Sequence, residues 1–354
     1  MAVRAWGSRP APTGALVVAA GLSLLAAALA SRAGGDQGEW NVLRLEAARM
    51  MAAGSHALAD ARRAAGLGLS PDDVNRTGLI GPATSPITSS VGVLSAKRTA
   101  TNPNWAAVVT EMFAQVGVRP GDTVAVGFSG SFPGLNLAVI YAARAMRVRV
   151  LAITAVAASN WGATDPMFTW LDMEQALVRR GLGERSLAAS VGGAGDAGAD
   201  LPPAGVHMLR AAIERSSVPL IPAPSLKASV DHRMAIYDAA GMPIAAFVNV
   251  GGAQANLGGC DDPYLVTSGI LRGLPPCPGG REGVVHRFLH RGIPVISLLN
   301  VRSLAVRYGL PIDPIPLPPP GSGSAYGGGH SQRAGPWLGV VLGGWALLWA
   351  LRRI

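Results

Sequence analysis

Cysteine, lysine and charged residues in general are scarce in this chain of 354 residues. Two cysteines are too few for a disulfide-rich scaffold, and they lack the spacing of a zinc finger. Charged residues make up 14% of the sequence, against about 25% in an average soluble protein. Hydrophobic residues reach 49%, so the chain can bury a sizeable core and is not disordered as a whole.

An apolar run without charged residues lies at each end of the chain. Residues 13–31 and 334–351 hold 19 and 18 residues without a charge, and each run has two arginines on its terminal side. A helix that crosses a bilayer needs about 20 apolar residues, so both runs are predicted as membrane segments. The segment 1–31 is either a retained anchor or a cleaved signal, because Ala28-Leu29-Ala30 fits a signal-peptidase site.

The flanking arginines predict the topology of the protein. Positive charge marks the cytoplasmic side, which places both termini in the cytoplasm and the middle of the chain outside the membrane. The predicted plan is an extracytoplasmic domain (32–310), a Pro- and Gly-rich linker (311–333) and a C-terminal transmembrane helix (334–354). Two lobes, 32–189 and 206–310, are an alternative for the domain. Nucleic acid is not expected as a partner, because no binding module is recognisable.

The middle of the chain alternates short apolar runs with helical patterns. Residues 123–128 and 148–156 are predicted strands, with a helix over 136–146 between them. This alternation predicts an α/β fold, in which a parallel sheet of Rossmann-like type is covered by helices. Residues 190–205 are rich in Gly and Ala and are expected to form a flexible insertion.

One loop between a predicted strand and helix stands out. It contains Gly127, Ser129, Gly130 and Ser131 and leads to Asn136. Small residues at the start of a helix allow backbone N–H groups to approach an anion, so the loop is a candidate binding site for a carboxylate or phosphate. Two alternatives are a tight turn without a ligand and a nucleophile elbow with Ser129 or Ser131 as the catalytic residue. The elbow pattern normally ends in Gly, where this chain has Ser.

A second polar cluster precedes another predicted helix. The members of this cluster are Lys97, Arg98, Thr99, Thr101 and Asn102. Their cations, hydroxyls and amide form a candidate carboxylate clamp. The alternative is an exposed helix cap and turn without a ligand. No metal site and no cofactor are predicted. His286 and His290 are four residues apart but lack an intervening Glu, and they are interpreted as surface histidines.

Cys260 and Cys277 flank a segment with several turn-forming residues. An outward-facing domain meets an oxidising compartment, where disulfides persist, so we predict a disulfide between them. The alternative is a pair of buried free thiols.

Two resemblances add to this interpretation. The strand, the loop 127–131, the following helix and the strand that ends in Ile153-Thr154 resemble the phosphosugar-binding module of sugar isomerase (SIS) domains. A combination of five motifs resembles the poly-gamma-glutamate system protein family, and this resemblance is more specific than the one to SIS domains. The motifs are residues 85–88, 97–104, 127–136, 159–162 and 168–174.

The second resemblance implies a pathway rather than a mechanism. It implies an accessory protein of poly-γ-glutamate (capsule) synthesis or export, anchored in the membrane beside the synthase complex. Its outer domain would bind polyglutamate or another anionic ligand at the loop 127–131. The alternatives are a serine-dependent hydrolase or transferase that acts on the polymer, and a SIS-like phosphosugar-binding protein.

Overall fold

A computed structural model describes residues 13–260, 267–277 and 279–326, with side chains from residue 38 onward. The chain divides into two units, and the one described below is Leu43–Tyr326. Within the described residues, no helix combines the length and the apolar content needed to cross a membrane. The side chains of the predicted segment 1–31, and the whole predicted helix 334–354, lie outside the described residues.

Helices and strands alternate along most of the chain. The helices are α1 (Thr13–Ala64), α2 (Leu94–Ala100), α3 (Trp105–Val116), α4 (Pro133–Ala145), α5 (Trp170–Val178), α6 (Pro203–Arg215), α7 (Leu226–Ala239), α8 (Gln254–Leu257), α9 (Val284–His290) and α10 (Val301–Arg307). The strands are β1 (Thr88–Ser90), β2 (Thr123–Ser129), β3 (Arg149–Ala155), β4 (Ala158–Ser159), β5 (Ala188–Ser190), β6 (Ile244–Val250), β7 (Gly269–Leu271) and β8 (Val295–Leu298).

Six strands form the central sheet in the order β5-β3-β2-β6-β8-β7. All neighbouring pairs are parallel except β7 with β8 at one edge. Every residue of β2 is buried, because helices cover both faces of the sheet. A strand buried on both faces is a continuous apolar run rather than an alternating one, as the sequence of β2 is. The predicted α/β fold with a mostly parallel sheet flanked by helices is therefore confirmed. Strands from both ranges suggested as lobes belong to this one sheet.

The direction in which successive strands are added to the sheet reverses beside β2. From β2 the chain moves outward through β3 to β5, and then returns to place β6 on the other side of β2. Crevices at such a switch point, outside the carboxyl ends of the strands, are where open α/β sheets bind ligands. Ser129 and Val250 end the two strands that border this crevice.

A separate two-stranded sheet lies next to this edge. Strand β1 pairs in parallel with β4, with Ser90 opposite Ser159. Since β4 follows β3 after two residues, this pairing carries the chain between β1 and α2 to the carboxyl end of the central sheet.

The predicted flexible insertion at 190–205 is wrong. Ser190 ends a strand, and Asp196 forms an ion pair with Arg233 in which both side chains are fully buried. Ser190 and Ser229 donate hydrogen bonds to the two carboxylate oxygens of Asp196. The small residues of this segment let the backbone turn tightly around a buried charge pair, and they do not make the segment an insertion.

The Pro-rich segment 311–326 lies against the domain in its described part. Asn104, which is fully buried, donates to the carbonyl of Pro319 and accepts hydrogen bonds from the backbone of Gly321 and the hydroxyl of Tyr326. Asp313 N donates to Thr99 Oγ1 over 2.9 Å. These side-chain contacts fasten the segment to α2 and to the N-terminal end of α3.

Candidate functional site

The most unusual polar group of the domain is the ammonium of Lys97. Its residue is only 2% exposed, and Nζ lies 2.6 Å from Ser159 Oγ. Nζ also donates to the carbonyl oxygen of Ser131 and lies 3.9 Å from the centre of the Phe132 ring. No carboxylate among the described residues forms an ion pair with it, so this lysine is buried without a counter-charge.

Burial without a counter-charge changes the protonation of Lys97. Desolvation disfavours the charged form and lowers the pKa of Lys97 to about 7. A substantial fraction of the amine is therefore neutral near neutral pH. A neutral amine within hydrogen-bond distance of a hydroxyl can take its proton, which is the arrangement that activates a serine nucleophile.

Three serines and Lys97 form one connected chain of hydrogen bonds. Ser159 N donates to Ser131 Oγ over 3.0 Å, and Ser131 N donates to Ser129 Oγ over 3.1 Å. Ser159 is 7% exposed, while Ser131 and Phe132 are half-buried on the outer side of the cluster. The predicted candidates Ser129 and Ser131 thus belong to the site, but the hydroxyl that faces the lysine is that of Ser159.

Sequence reasoning missed Ser159 as a catalytic candidate. It belongs to one of the motifs behind the family resemblance, but its role depends on the pairing of two very short strands, β1 and β4. Such a pairing leaves no periodic pattern in the sequence.

A loop from β1 covers the lysine. Gly92 N donates to Asn160 Oδ1 over 2.8 Å. A Cβ atom at Gly92 would lie 2.7 Å from Asn160 O and 3.2 Å from Lys97 Cε, so the loop can approach this closely only with glycine. The cover excludes water from the amine and maintains its low pKa.

The residue two positions after Ser159 has a strained backbone. Trp161 has a φ of 59°, in the left-handed region that aromatic residues rarely adopt. Its indole Nε1 donates to Asp72 Oδ2 over 2.8 Å, which holds the side chain in place. Strain of this kind is concentrated at functional sites, and here it fixes the exit of β4.

The loop 127–131 does not offer its backbone N–H groups to an anion in this structure. Gly130 N donates to Ala155 O, Ser131 N to Ser129 Oγ, and Phe132 N to Ser129 O. A Cβ atom at Gly130 would lie 2.2 Å from Val156 O, and one at Gly127 would lie 2.2 Å from Asn256 Nδ2. The two glycines are therefore required by close packing. A substitution such as Gly130→Asp would disturb the fold and cannot test ligand binding.

The predicted clamp at 97–102 is dispersed in the structure. Arg98 turns away from Lys97 and lies 3.7 Å from an Asp313 oxygen and 3.9 Å from one of Asp72. The remaining members are buried and form their hydrogen bonds away from the loop 127–131; they are Thr99, Thr101 and Asn102. Asn136, which was predicted with the loop, does contact it, because its amide donates to Ser129 O. Lys97 alone among the five contacts the loop 127–131.

The predicted disulfide between Cys260 and Cys277 is present, with a Cα–Cα distance of 4.9 Å.

Of the two predicted surface histidines, His290 is exposed and bonds Glu282, but His286 is fully buried. The reason is that His286 lies on the face of α9 that packs against the core with Val285 and Leu289.

Comparison with protein-family models, with curated proteins and with solved structures finds no match for this chain. Its function is therefore argued from the chemistry of the site, together with the motifs that resemble the poly-gamma-glutamate family.

Proposed function

We propose that this chain is a membrane-associated component of a poly-γ-glutamate system whose outer domain acts on acyl bonds, with Ser159 as nucleophile and Lys97 as general base. The motif resemblance supplies the pathway. The observation that carries the chemistry is the 2.6 Å contact between Lys97 Nζ and Ser159 Oγ, in a place where burial lowers the pKa of the amine to about 7.

The reaction follows from these two groups. Neutral Lys97 takes the proton of Ser159 while Oγ forms a bond with the carbonyl carbon of an amide. Lys97 then gives that proton to the departing amine as the C–N bond breaks. Water or a second amine releases the acyl group from Ser159, so the same site serves a hydrolase or a transferase. The hydroxyl of Ser131 accepts from Ser159 N and retains its own proton, which it can donate to the developing oxyanion.

An anionic polymer suits the charge of the protein. Apart from the four arginines that flank the terminal runs, the chain keeps a formal net charge of +5, which attracts polyanions over distances of about a Debye length. Poly-γ-glutamate carries one free carboxylate per residue, and its amide bonds are the acyl bonds on which a Ser–Lys pair would act.

The localisation in a bacterial cell membrane, with both termini in the cytoplasm, is part of this proposal. It depends on the arginines that flank residues 13–31 and 334–351. The disulfide between Cys260 and Cys277 supports an outward-facing domain, because disulfides persist mainly in oxidising compartments.

A second candidate is an accessory subunit that binds the polymer without cleaving it. It is favoured by the way Ser131 O, Ser159 Oγ and the Phe132 ring surround the Lys97 ammonium, since all three can stabilise its charged form. The internal bonding of the N–H groups in the loop 127–131 weighs against a phosphosugar site of SIS type.

The test is to incubate the full-length protein with purified poly-γ-glutamate and to follow chain length and free amine. Wild-type protein should shorten or re-link the polymer. Ser159→Ala and Lys97→Met should each lower the rate by about 100-fold or more, because nucleophile and base act as a unit.

The matched control is Ser89→Ala, which removes a half-buried hydroxyl that donates only to Ala158 O, at 3.4 Å. It should leave the rate unchanged. Retention of intact polymer by wild-type protein, without cleavage, would establish the binding subunit instead. Full activity in folded Ser159→Ala would exclude this serine as the nucleophile.

A further inference from the structure

The disulfide lies beside a buried histidine. Ligand atoms of Cys260, Cys277 and His286 all lie within 4.8 Å of one another. His286 is fully buried, and its Nε2 has no hydrogen-bond partner among the described residues. A buried polar atom without a partner costs free energy, so its presence next to two sulfur atoms needs an explanation.

The orientation of the imidazole identifies what His286 offers. Its Nδ1 accepts a hydrogen bond from Gly283 N over 3.3 Å, which leaves the proton of the neutral ring on Nε2. Burial lowers the pKa of His286 and thus favours this neutral form. The side chain is therefore an N–H donor without an acceptor among the described residues, and one of its ring nitrogens lies within 4.8 Å of both sulfurs. A thiolate, which forms when the disulfide opens, is the acceptor that would satisfy it.

Both cysteines are partly accessible: Cys277 is half-buried, and Cys260 is 9% exposed and lies at a cavity. Cys260 lines a cavity at the carboxyl end of β6, together with Gly252, Gln254, Gly259 and Arg281. A hydrogen-bond donor near a sulfur, such as His286 offers, lowers the pKa of a thiol and makes it a better leaving group.

The two cysteines are also held together by bonds other than the disulfide. Gly259 N donates to Arg281 O over 2.8 Å, and Gly258 pairs with Glu282 in a short antiparallel bridge. A turn closed by Gly280 N and Cys277 O connects Cys277 to the same strand-like segment. Both thiols should therefore remain adjacent after reduction, as a reversible dithiol requires.

We propose that Cys260 and Cys277 form a redox-active pair that undergoes thiol–disulfide exchange with thiol compounds that enter the cavity, with His286 as the residue that stabilises the leaving thiolate. The incoming thiolate forms a bond with Cys260 Sγ, the bond between the two cysteine sulfurs breaks, and Cys277 leaves as a thiolate that accepts the Nε2–H of His286. A second thiol then releases the first as a mixed disulfide and leaves both cysteines reduced. This activity does not depend on the proposed acyl chemistry.

The test uses purified full-length protein and reduced glutathione. Samples are quenched with acid and an alkylating reagent, and the mixed disulfide is located by mass spectrometry of peptides. The native disulfide should react about tenfold faster than the same disulfide in protein denatured with urea, because only the folded chain holds His286 beside the two sulfurs. Glutathione should be found on Cys260, the residue that lines the cavity.

The variant His286→Phe, checked for folding by circular dichroism, should lose most of this advantage, while the control His290→Phe should retain it. His290 lies one turn further along α9, and its side chain is exposed and bonded to Glu282. The comparison of native with denatured protein needs no variant, so misfolding of His286→Phe would not decide the outcome.

Slower exchange in the native than in the denatured protein would show a shielded, structural disulfide and overturn the proposal. Glutathione on Cys277 would overturn the assigned order of attack. Tight binding of Zn²⁺ by the reduced protein, with failure of the disulfide to re-form, would show that the cluster is a metal site instead.

Discussion

Replacement of Lys97 by Met should change the stability of the protein in a pH-dependent way. The side chains are similar in length, but Met has no charge to desolvate. In the folded protein the pKa of Lys97 falls from 10.5 to about 7, so between these two values the unfolded chain binds a proton that the folded chain does not. The free energy of unfolding of the wild type therefore contains a contribution that rises with pH across this window and is smallest below pH 7.

The size of the effect follows from the same shift. Each pH unit inside the window is equivalent to about 1.4 kcal/mol. Between pH 8 and pH 10 folded Lys97 is almost entirely neutral and the unfolded lysine mostly charged, so wild-type stability should gain about 2.5 kcal/mol from this residue. Lys97→Met lacks this gain. Its stability relative to wild type should therefore fall by about 2.5 kcal/mol over these two units.

The assay is urea denaturation of both proteins at pH 8, 9 and 10, followed by tryptophan fluorescence. Contributions from all other titrating groups cancel in the difference between the two proteins. The chain offers a matched control in its second lysine: Lys227→Met removes an ammonium whose side chain is 83% exposed. Its difference from wild type should stay constant with pH.

A constant difference for Lys97→Met over the same range would refute the reasoning. It would mean that Lys97 is charged in the folded protein at pH 8, stabilised by Ser131 O and the Phe132 ring more than burial penalises it. The role of this lysine as a general base would then fail as well.

Two further predictions concern other buried polar groups. Burial raises the pKa of Glu174 from 4.5 to about 7, so the free energy of unfolding of the wild type should fall as pH rises through this window. In urea denaturation, Glu174→Gln should gain about 3 kcal/mol relative to wild type between pH 4.5 and 7, whereas the exposed control Glu184→Gln should not. Equal behaviour of the two variants would contradict the shift. Asn104→Ala should release the segment 311–326 and cost about 2 kcal/mol of unfolding free energy, seen as faster limited proteolysis there. The control is Gln115→Ala, which removes an exposed amide on α3 that donates to Glu111. Unchanged proteolysis of Asn104→Ala would show that the segment is fastened by other contacts.

The sequence determined the class of the fold and much of its order. Buried parallel strands are continuous apolar runs, and the run around Val124 and Val126 is legible without a structure. The loop that follows it could be located because a change from strand to helix with Gly and Ser between is a local signal. The pairing of the two cysteines was also predictable, since a chain with only two has one possible intramolecular disulfide.

The local composition predicts the wrong role for two segments in which small residues are required by close packing. The glycines of the loop 127–131 resemble an anion cradle, but Gly130 is required by the approach of Val156 O. The Gly- and Ala-rich residues 190–205 resemble a mobile insertion, but they enclose the buried pair of Asp196 and Arg233. In both cases the atoms that decide the outcome come from elsewhere in the chain.

Only the tertiary structure decided the candidate site. Lys97 and Ser159 are 62 positions apart, and their contact depends on β1 pairing with β4 and on Gly92 lying over the amine. The low pKa of the lysine has the same origin. Desolvation is produced by everything that surrounds a group, and a sequence records the group without its surroundings.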